Sequence, residues 1–121
     1  MSPQILRTTR LLPTETISWE AYQGLDGTGA PDFATAVDLD ANVVPYDVLA
    51  GGEEYVIGPD GTRIRIPLSL YFVGDAATVP VEGDRVTWSG TAYIVVERTT
   101  VSGLFYTAAQ PDHFELRCRA E

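Results

Sequence analysis

The stretch Thr62–Phe72, Thr-Arg-Ile-Arg-Ile-Pro-Leu-Ser-Leu-Tyr-Phe, alternates between apolar residues and mostly polar ones. This period of two predicts a β-strand with one buried face. Because proline has no N–H to donate to a neighbouring strand, Pro67 predicts that the strand lies at a sheet edge or carries a bulge there. The residues predicted to face the core are Ile64, Ile66, Leu68, Leu70 and Phe72.

Turn residues around this strand predict two hairpins. Gly58-Pro-Asp-Gly61 contains Asp-Gly between two apolar runs, which favours a tight turn. We therefore expect Glu53–Ile57 to pair with the beginning of the strand. A second turn, Ser89-Gly90, predicts another hairpin between Arg85–Trp88 and Ala92–Arg98.

The strands in the last third of the chain differ in their expected burial. The segment Ala92–Arg98 is apolar on both sides, which predicts a central strand buried on both faces. Its two sides carry Ile94 and Val96 opposite Tyr93 and Val95. The last strand, His113–Arg119, alternates cleanly, which predicts one buried side and one exposed side. Its inward residues are Phe114, Leu116 and Cys118, and its outward residues are His113, Glu115, Arg117 and Arg119.

The N-terminal half predicts two further strands, Thr16–Tyr22 and Phe33–Val43. A helix is possible only within residues 44–50, where Pro45 limits it to a single turn. Residues 1–12 are expected to form an N-terminal arm. The predicted inward residues are Ile17, Trp19 and Ala21 in the first strand and Phe33, Val37, Leu39, Ala41 and Val43 in the second, where Asp38, Asp40 and Asn42 face outward.

Several short strands separated by glycine and proline indicate an all-β fold, either a small barrel or a sandwich. The 121 residues are enough for one domain with its own core, so we expect a single β domain over 1–121. Three connections are long, at 23–32, 73–84 and 99–112. Long loops in compact domains are usually functional or ordered by a partner, and three glycines predict that the first is mobile.

Charge and composition narrow the classes of function. The formal charge is −9, all eight basic residues are arginine, and no basic residue lies between Leu11 and Thr62. Because phosphate backbones are bound by basic side chains, sequence-specific DNA binding is not expected. No apolar run approaches the ~18 residues of a membrane span, and no apolar leader indicates a signal peptide. The single cysteine, Cys118, is expected to be a small buried residue.

The residues that usually carry catalysis or bind metals are few. His113 is the only histidine, and the chain has no lysine and no Gly-x-Ser-x-Gly motif. Asp38-Leu-Asp40-Ala-Asn42 resembles the start of a calcium loop, but Val43 replaces its glycine. Residues 24–29 lack the third glycine of a phosphate-binding loop. We therefore expect no enzymatic activity, no cofactor and no metal site.

The aromatic residues divide into two expected groups. One group fits core positions: Trp19, Phe33, Tyr55, Phe72, Trp88 and Phe114. The other is less easily buried and supplies candidate interface anchors: Tyr22, Tyr71, Phe105 and Tyr106.

Residues 53–119 resemble the head closure (stopper) proteins of long-tailed bacteriophages. The resemblance rests on Gly83-Asp84-Arg85-Val86, the turn Ser89-Gly90, Tyr93-Ile94-Val95 and His113-Phe114-Glu115-Leu116. It implies a structural virion protein, assembled in the host cytoplasm, that forms a homo-oligomeric ring in the neck. Such a ring lies between the portal–adaptor assembly and the tail, retains the packaged genome and then lets the double-stranded DNA pass.

The same resemblance implies a small β-barrel whose long loops project towards the channel. The candidate channel or gating residues are Gly24, Asp26, Gly27, Gly29 and Asp32. The candidate intersubunit residues are Arg63, Arg65, Tyr71, Arg85, Arg98 and Arg117. Charge-segregated surfaces would suit a head-to-tail ring, which uses two different faces of each subunit.

Three alternatives remain open from the sequence. One is a tail terminator or tail-tube-like protein, against which the Pro67 interruption counts, since tail tubes need long continuous strands. Another is a small ligand-binding β-barrel, which would need a cavity lined by Trp19, Trp88 and Tyr93. The last is an enzyme, whose test is whether His113 lies in a cleft beside a carboxylate with a perturbed pKa, since an exposed strand position would exclude it.

Overall fold

A computed structural model describes residues 14–46, 55–101 and 113–121 of the chain. These residues form β-strands and one short 3-10 turn, Ala76–Thr78, so the predicted all-β class is confirmed. None of them belongs to a helix that is long and apolar enough to cross a membrane. The strands are β1 (Thr14–Glu20), β2 (Tyr22–Leu25), β3 (Pro31–Phe33), β4 (Val37–Pro45), β5 (Tyr55–Ile57), β6 (Arg63–Arg65), β7 (Leu68–Phe72), β8 (Arg85–Trp88), β9 (Thr91–Val101) and β10 (His113–Ala120).

Six strands close into an antiparallel barrel in the order β1-β4-β7-β10-β9-β8. Closure leaves no unpaired strand edge in the barrel itself. The other four strands form two separate two-stranded ribbons, β2–β3 and β5–β6. The β2–β3 ribbon follows the end of β1, and the β5–β6 ribbon precedes the start of β7. Because neighbouring barrel strands are antiparallel, these two points lie at opposite ends of the barrel. We call the end that carries β2–β3 and residues 73–84 the hairpin end, and the end that carries β5–β6 the ribbon end.

The barrel interior contains the residues that alternation predicted for the middle and last strands. Leu68, Leu70 and Phe72 of β7 meet Phe114, Leu116 and Cys118 of β10, and all six are buried. Ile17, Ala41, Val86 and Val95 complete the same cluster from the other strands. Burial of apolar surface at roughly 25 cal/mol per Å² makes this cluster the main source of stability.

The stretch Thr62–Phe72 is two strands rather than one. β6 ends at Arg65 and β7 begins at Leu68. Pro67 was predicted to lie at a sheet edge or in a bulge, and it lies instead where the chain leaves the β5–β6 ribbon and enters the barrel. Pro67 cannot donate a ladder hydrogen bond, but its carbonyl accepts one from the backbone N–H of Tyr46 at 2.8 Å. The predicted hairpin is confirmed at Tyr55–Ile57, and Glu53 and Glu54 lie outside the described residues.

The second hairpin, β8–β9, is confirmed, but the burial predicted for both faces of β9 is wrong. Val95 is buried, whereas Ile94 and Val96 are only half-buried. A closed barrel has one interior, so one face of each strand must lie outside it. The register between β9 and β10 also shifts at Val96, where Glu97 pairs with Arg117 and Val95 with Cys118.

The N-terminal strands have other bounds than predicted, and β1 begins two residues earlier, at Thr14. β1 ends at Glu20, and the stretch Phe33–Val43 is divided into β3 and β4. Within it, Val37 is 52% exposed although it lies on the inner side of β4, and Asn42 is 5% exposed although it lies on the outer side, so the burial of both differs from the prediction. β4 continues to Pro45, so no helical turn begins at Val44; residues 47–50 and the arm at 1–12 lie outside the described part.

The connection at 23–32 is not a loose loop. It forms the β2–β3 hairpin, in which Tyr22 pairs with Phe33 and Leu25 with Pro31. The connection at 73–84 holds the 3-10 turn and buries Val79 and Pro80. β9 extends to Val101, and residues 102–112 lie outside the described residues.

The thiol of Cys118 is expected to be chemically silent in the folded protein. Burial raises the pKa of Cys118 to about 12, so almost no thiolate exists at pH 8. We expect negligible alkylation by iodoacetamide at pH 8 in native buffer and rapid, complete alkylation in 6 M guanidinium chloride, measured by intact mass. Equal rates in both solvents would contradict the buried position.

Candidate assembly interface

The hairpin end is organised around a buried carboxylate, Asp84, which is 2% exposed. Its Oδ2 accepts hydrogen bonds from the indole Nε1 of Trp19 and from the backbone N–H of Val81, both at 2.9 Å. Its Oδ1 accepts one from the backbone N–H of Tyr22, also at 2.9 Å. One side chain therefore joins the end of β1, the start of β2 and the loop before β8.

The backbone of Asp84 extends this junction into the barrel. Its N–H donates to the carbonyl of Val81 at 3.1 Å, and its carbonyl accepts from the N–H of Val95 at 2.9 Å. Gly83 precedes it with φ +94°, a conformation that favours glycine, and lies next to the side chain of Tyr22. The Gly83-Asp84 pair, quoted in the sequence only as part of a family pattern, thus fixes the hairpin onto the barrel.

Arg85 holds the same region together from the outside of the barrel. Its Nε donates to Glu121 at 2.7 Å, its NH1 donates to Glu20 at 3.3 Å, and its guanidinium lies 4.1 Å from the ring centre of Phe33. The hydrogen bond to Glu121 raises the pKa of Arg85, and the charges of both carboxylates add to this. These contacts of Arg85 all lie within the chain, and its intersubunit role stays a prediction.

The candidate gating residues lie at and beside the tip of the β2–β3 hairpin. Asp26 accepts hydrogen bonds at Oδ1 from the Thr28 hydroxyl at 2.6 Å, the Thr28 N–H at 2.8 Å and the Ala30 N–H at 3.1 Å. Backbone bonds between Asp26 and Ala30 and between Gly29 and Asp26 close the turn. Gly24 and Gly29 have φ of +96° and +84°, while Gly27 lies in the turn and Asp32 is exposed on β3. The tip is an ordered turn with an exposed carboxylate.

The carboxylate of Asp26 is expected to titrate below its ordinary range. The hydrogen bonds from Thr28 and then Ala30 lower the pKa of Asp26 from its ordinary value of 3.8. Its contribution to stability is therefore full above pH 3.8 and is lost as the pH falls through the lower folded-state pKa. In an ¹H–¹⁵N NMR titration, the amide signals of Thr28 and Ala30 should shift with a midpoint below 3.8, and Asp26→Asn should abolish that shift. A midpoint at or above 3.8 would contradict the turn.

Arg98 points towards the barrel interior at the hairpin end rather than outward. The bulge at Val96 reverses the alternation of β9, so Arg98 pairs with the buried Leu116. Its guanidinium lies 4.8 Å from the ring centre of Phe114. Its NH1 donates to the carbonyls of Ala76 and Val79 at 3.1 and 3.2 Å, which anchors the loop that carries the 3-10 turn.

The outer surface of β7, β9 and β10 carries the remaining predicted residues. Arg117 donates to Glu97 at 3.2 Å within the chain, and Tyr71 is half-buried beside the His113 ring. The predicted exposure of His113 is wrong, because it is 4% exposed and its Nε2 lies 3.2 Å from Glu115 Oε1. Sequence alternation places His113 outside the barrel correctly, but being outside a barrel is not the same as being in solvent.

Exposed apolar side chains are concentrated at the hairpin end. Seven large apolar residues of the described part are exposed, and five of them, which we call the apolar rim, belong to the hairpin, the start of β4 and the loop at 73–84. The apolar rim consists of Tyr22, Leu25, Val37, Val73 and Val81. The predicted interface anchor Tyr22 is thus exposed, whereas Phe105 and Tyr106 lie outside the described residues.

The other two exposed apolar residues, Tyr55 and Ile57, lie on the β5–β6 ribbon with Arg63 and Arg65. The predicted core position of Tyr55 is therefore wrong.

Across the described ranges, no group of three or more His, Cys, Asp or Glu side chains is arranged to hold a metal ion. No protein-family model and no curated protein sequence matches the chain.

Proposed function

We propose that the chain is a structural protein of the bacteriophage neck, a head closure protein that forms a ring between the portal–adaptor assembly and the tail. The observation that carries the proposal is the apolar rim at one end of a closed barrel. Single exposed apolar residues are common, but a set gathered at one end marks a surface that another protein covers. The barrel provides a rigid body, and the β2–β3 hairpin projects from it.

The rigidity of the hairpin end supports the same function. The Asp84 hydrogen bonds fix the base of the hairpin, and those of Asp26 fix its tip. An ordered, projecting element loses little conformational entropy on assembly, which favours a permanent structural contact. Asp26 and Asp32 give the hairpin a negative surface that repels phosphate, as expected of an element that DNA must pass without binding.

The barrel interior disfavours the ligand-binding alternative. Trp19, Trp88 and Tyr93 were expected to line a cavity in that case. They pack instead, partly buried, against the apolar cluster formed by Ile17, Val86 and the other core residues.

The proposal is tested by removing the protein from an assembling phage and restoring it as variants. Without it, we expect filled heads that lose DNA and fail to join tails, seen by negative-stain microscopy. The wild-type chain should restore joined particles, with a ring at the neck in averaged images. Joined, infectious particles in the absence of the protein would refute the neck role.

Variants of the apolar rim connect the function to this surface. Leu25→Asp and Val81→Asp place charges on exposed rim positions, so the monomer should fold normally but fail to restore particles. Thr91→Asp is the matched control, because Thr91 is exposed at the opposite end of the barrel in the β8–β9 turn. It should restore particles as the wild type does; equal failure of all three would show that the rim is not the contact.

A further inference from the structure

The β5–β6 ribbon has one exposed face of mixed character. Tyr55 lies opposite Arg65 and Ile57 lies opposite Arg63, and directly opposed residues share a face. All four side chains are exposed, and Ile57 is 67% exposed. The other face of the ribbon carries Val56 and Ile64, which are half-buried.

A ribbon of two short strands is marginally stable by itself. Here the turn is closed by backbone bonds between Gly58 and Thr62 and between Gly61 and Gly58, and by Asp60, which accepts from Thr62. Nothing among the described residues covers the face that carries Ile57. An exposed apolar side chain directly opposite an arginine, on a ribbon outside the barrel, suits a protein contact rather than solvent.

The positive charges of this face are available to a partner. Arg85 and Arg117 form ion pairs within the chain, and Arg98 is held by carbonyls. Within residues 14–46, 55–101 and 113–121, Arg63 and Arg65 form no ion pair. The Arg63 guanidinium lies 4.3 Å from the ring centre of Tyr55, which orients it and leaves its N–H groups at the surface.

The outer face of β1–β4 carries the matching charges. Asp38 and Asp40 are exposed and point to the same side of β4, opposite Ser18 and Thr16 of β1. Residues two apart on a strand are about 6.6–6.8 Å apart, so these two carboxylates repeat at the same distance as Arg63 and Arg65. The chain therefore carries two complementary surfaces with one spacing.

We propose that the exposed face of the β5–β6 ribbon docks on the β1–β4 face of a second copy of this chain, with Arg63 and Arg65 paired to Asp38 and Asp40. The two surfaces are different parts of one subunit, so the contact is head-to-tail and repeats around a ring. This inference rests on the proposed ring. It names the contact between subunits, whereas the apolar rim faces the next component of the neck.

The absence of lysine from the sequence makes this contact directly measurable. The variant Arg63→Lys/Arg65→Lys keeps both charges and introduces amines that a carbodiimide can couple to carboxylates in direct contact. An equimolar mixture of ¹⁴N and ¹⁵N protein is coupled, digested and analysed by mass spectrometry. We expect mixed-isotope peptides that join position 63 or 65 to Asp38 or Asp40, and loss of these peptides with Asp38→Asn/Asp40→Asn.

Arg117→Lys provides the internal control, because Arg117 lies 3.2 Å from Glu97 in the same chain. It should give links within one copy only. If this control couples while positions 63 and 65 give no links, links within one copy, or links to other carboxylates, the proposed contact is wrong. If rings still form in that case, only the proposed contact is wrong and the neck function is not contradicted. If the expected links form but the protein is never found in a phage neck, the neck function is wrong and the contact between copies is supported.

Discussion

Replacement of Asp84 by alanine is expected to lower the free energy of unfolding by about 3–5 kcal/mol. The substitution removes the acceptor of three hydrogen bonds, from Trp19 Nε1 and from the N–H groups of Tyr22 and Val81. Hydrogen bonds to a charged group are worth ~1.5–3 kcal/mol each, but their losses are not additive, and water entering the space recovers part. Domains of this size are stable by only ~5–15 kcal/mol, so the variant should be close to unfolding at 37 °C.

Urea denaturation followed by tryptophan fluorescence measures this loss, and two variants calibrate it. Asp84→Asn keeps the shape and one carbonyl acceptor but turns an NH₂ group towards donors, so about half of the loss is expected. Asp38→Ala removes an exposed carboxylate and should change stability by less than ~0.5 kcal/mol. A loss below ~1 kcal/mol for Asp84→Ala would show that the carboxylate does not hold the three elements together.

The variant Asp84→Asn should disturb the hairpin end more than the rest of the barrel. The Tyr22 N–H and the Val81 N–H belong to the two segments that carry most of the apolar rim. Hydrogen exchange in Asp84→Asn should therefore accelerate at Tyr22–Leu25 and at residues 73–84 before it accelerates in β10. Uniform acceleration across the chain would indicate that the hairpin end opens only when the whole barrel unfolds.

The sequence predicts the strands whose pattern is local. β7 and β10 each direct every second residue into the barrel interior, and that period is visible in a few consecutive positions without knowledge of the partner strand. The prediction fails where one residue changes the pattern. Pro67 ends a ladder, and the bulge at Val96 exchanges the two sides of β9, so alternation gives the wrong side for Arg98.

Sequence alternation does not predict which residues on the outer side of the barrel are buried. Asn42 and His113 point away from the core, yet both are buried, because alternation specifies which side of a strand a residue occupies and not what covers that side. The hairpin at 23–32 had a local signal that glycine content concealed. Asp26 two residues before Thr28 favours a turn closed by side-chain hydrogen bonds, as observed.

The contacts of the candidate site join residues that are far apart in the chain. Trp19 and Asp84 are separated by 65 positions, and Arg85 and Glu121 by 36. One sequence shows that arginines and carboxylates are present, but only the strand order determines which of them meet. Contacts within the chain engage Arg85, Arg98 and Arg117, which one sequence could not show. The intersubunit role of these three residues, like that of Arg63 and Arg65, stays a prediction.

The second large effect is expected at Phe114, the most voluminous of the fully buried side chains. Phe114→Ala should lower the free energy of unfolding by about 3–5 kcal/mol, because it leaves a cavity in the barrel and removes the ring beneath the Arg98 guanidinium. Burial beneath a charged group worsens the loss, since the guanidinium then faces an empty apolar space. Phe114→Leu keeps most of the volume and should cost about 1–2 kcal/mol.

Phe33→Ala is the matched control, since it deletes the same atoms beneath another arginine but outside the core. Phe33 is half-buried, 5.8 Å from the Tyr22 ring and 4.1 Å from the Arg85 guanidinium, so its removal should cost only about 1–2 kcal/mol. Both losses are measured by urea denaturation. If the free energy of unfolding falls with urea concentration at the same slope as in the wild type, both variants unfold from the same compact state. Equal losses for the two would mean that the barrel interior and the hairpin contribute alike, contrary to a fold whose stability comes from the interior and whose hairpin end is left free for a partner.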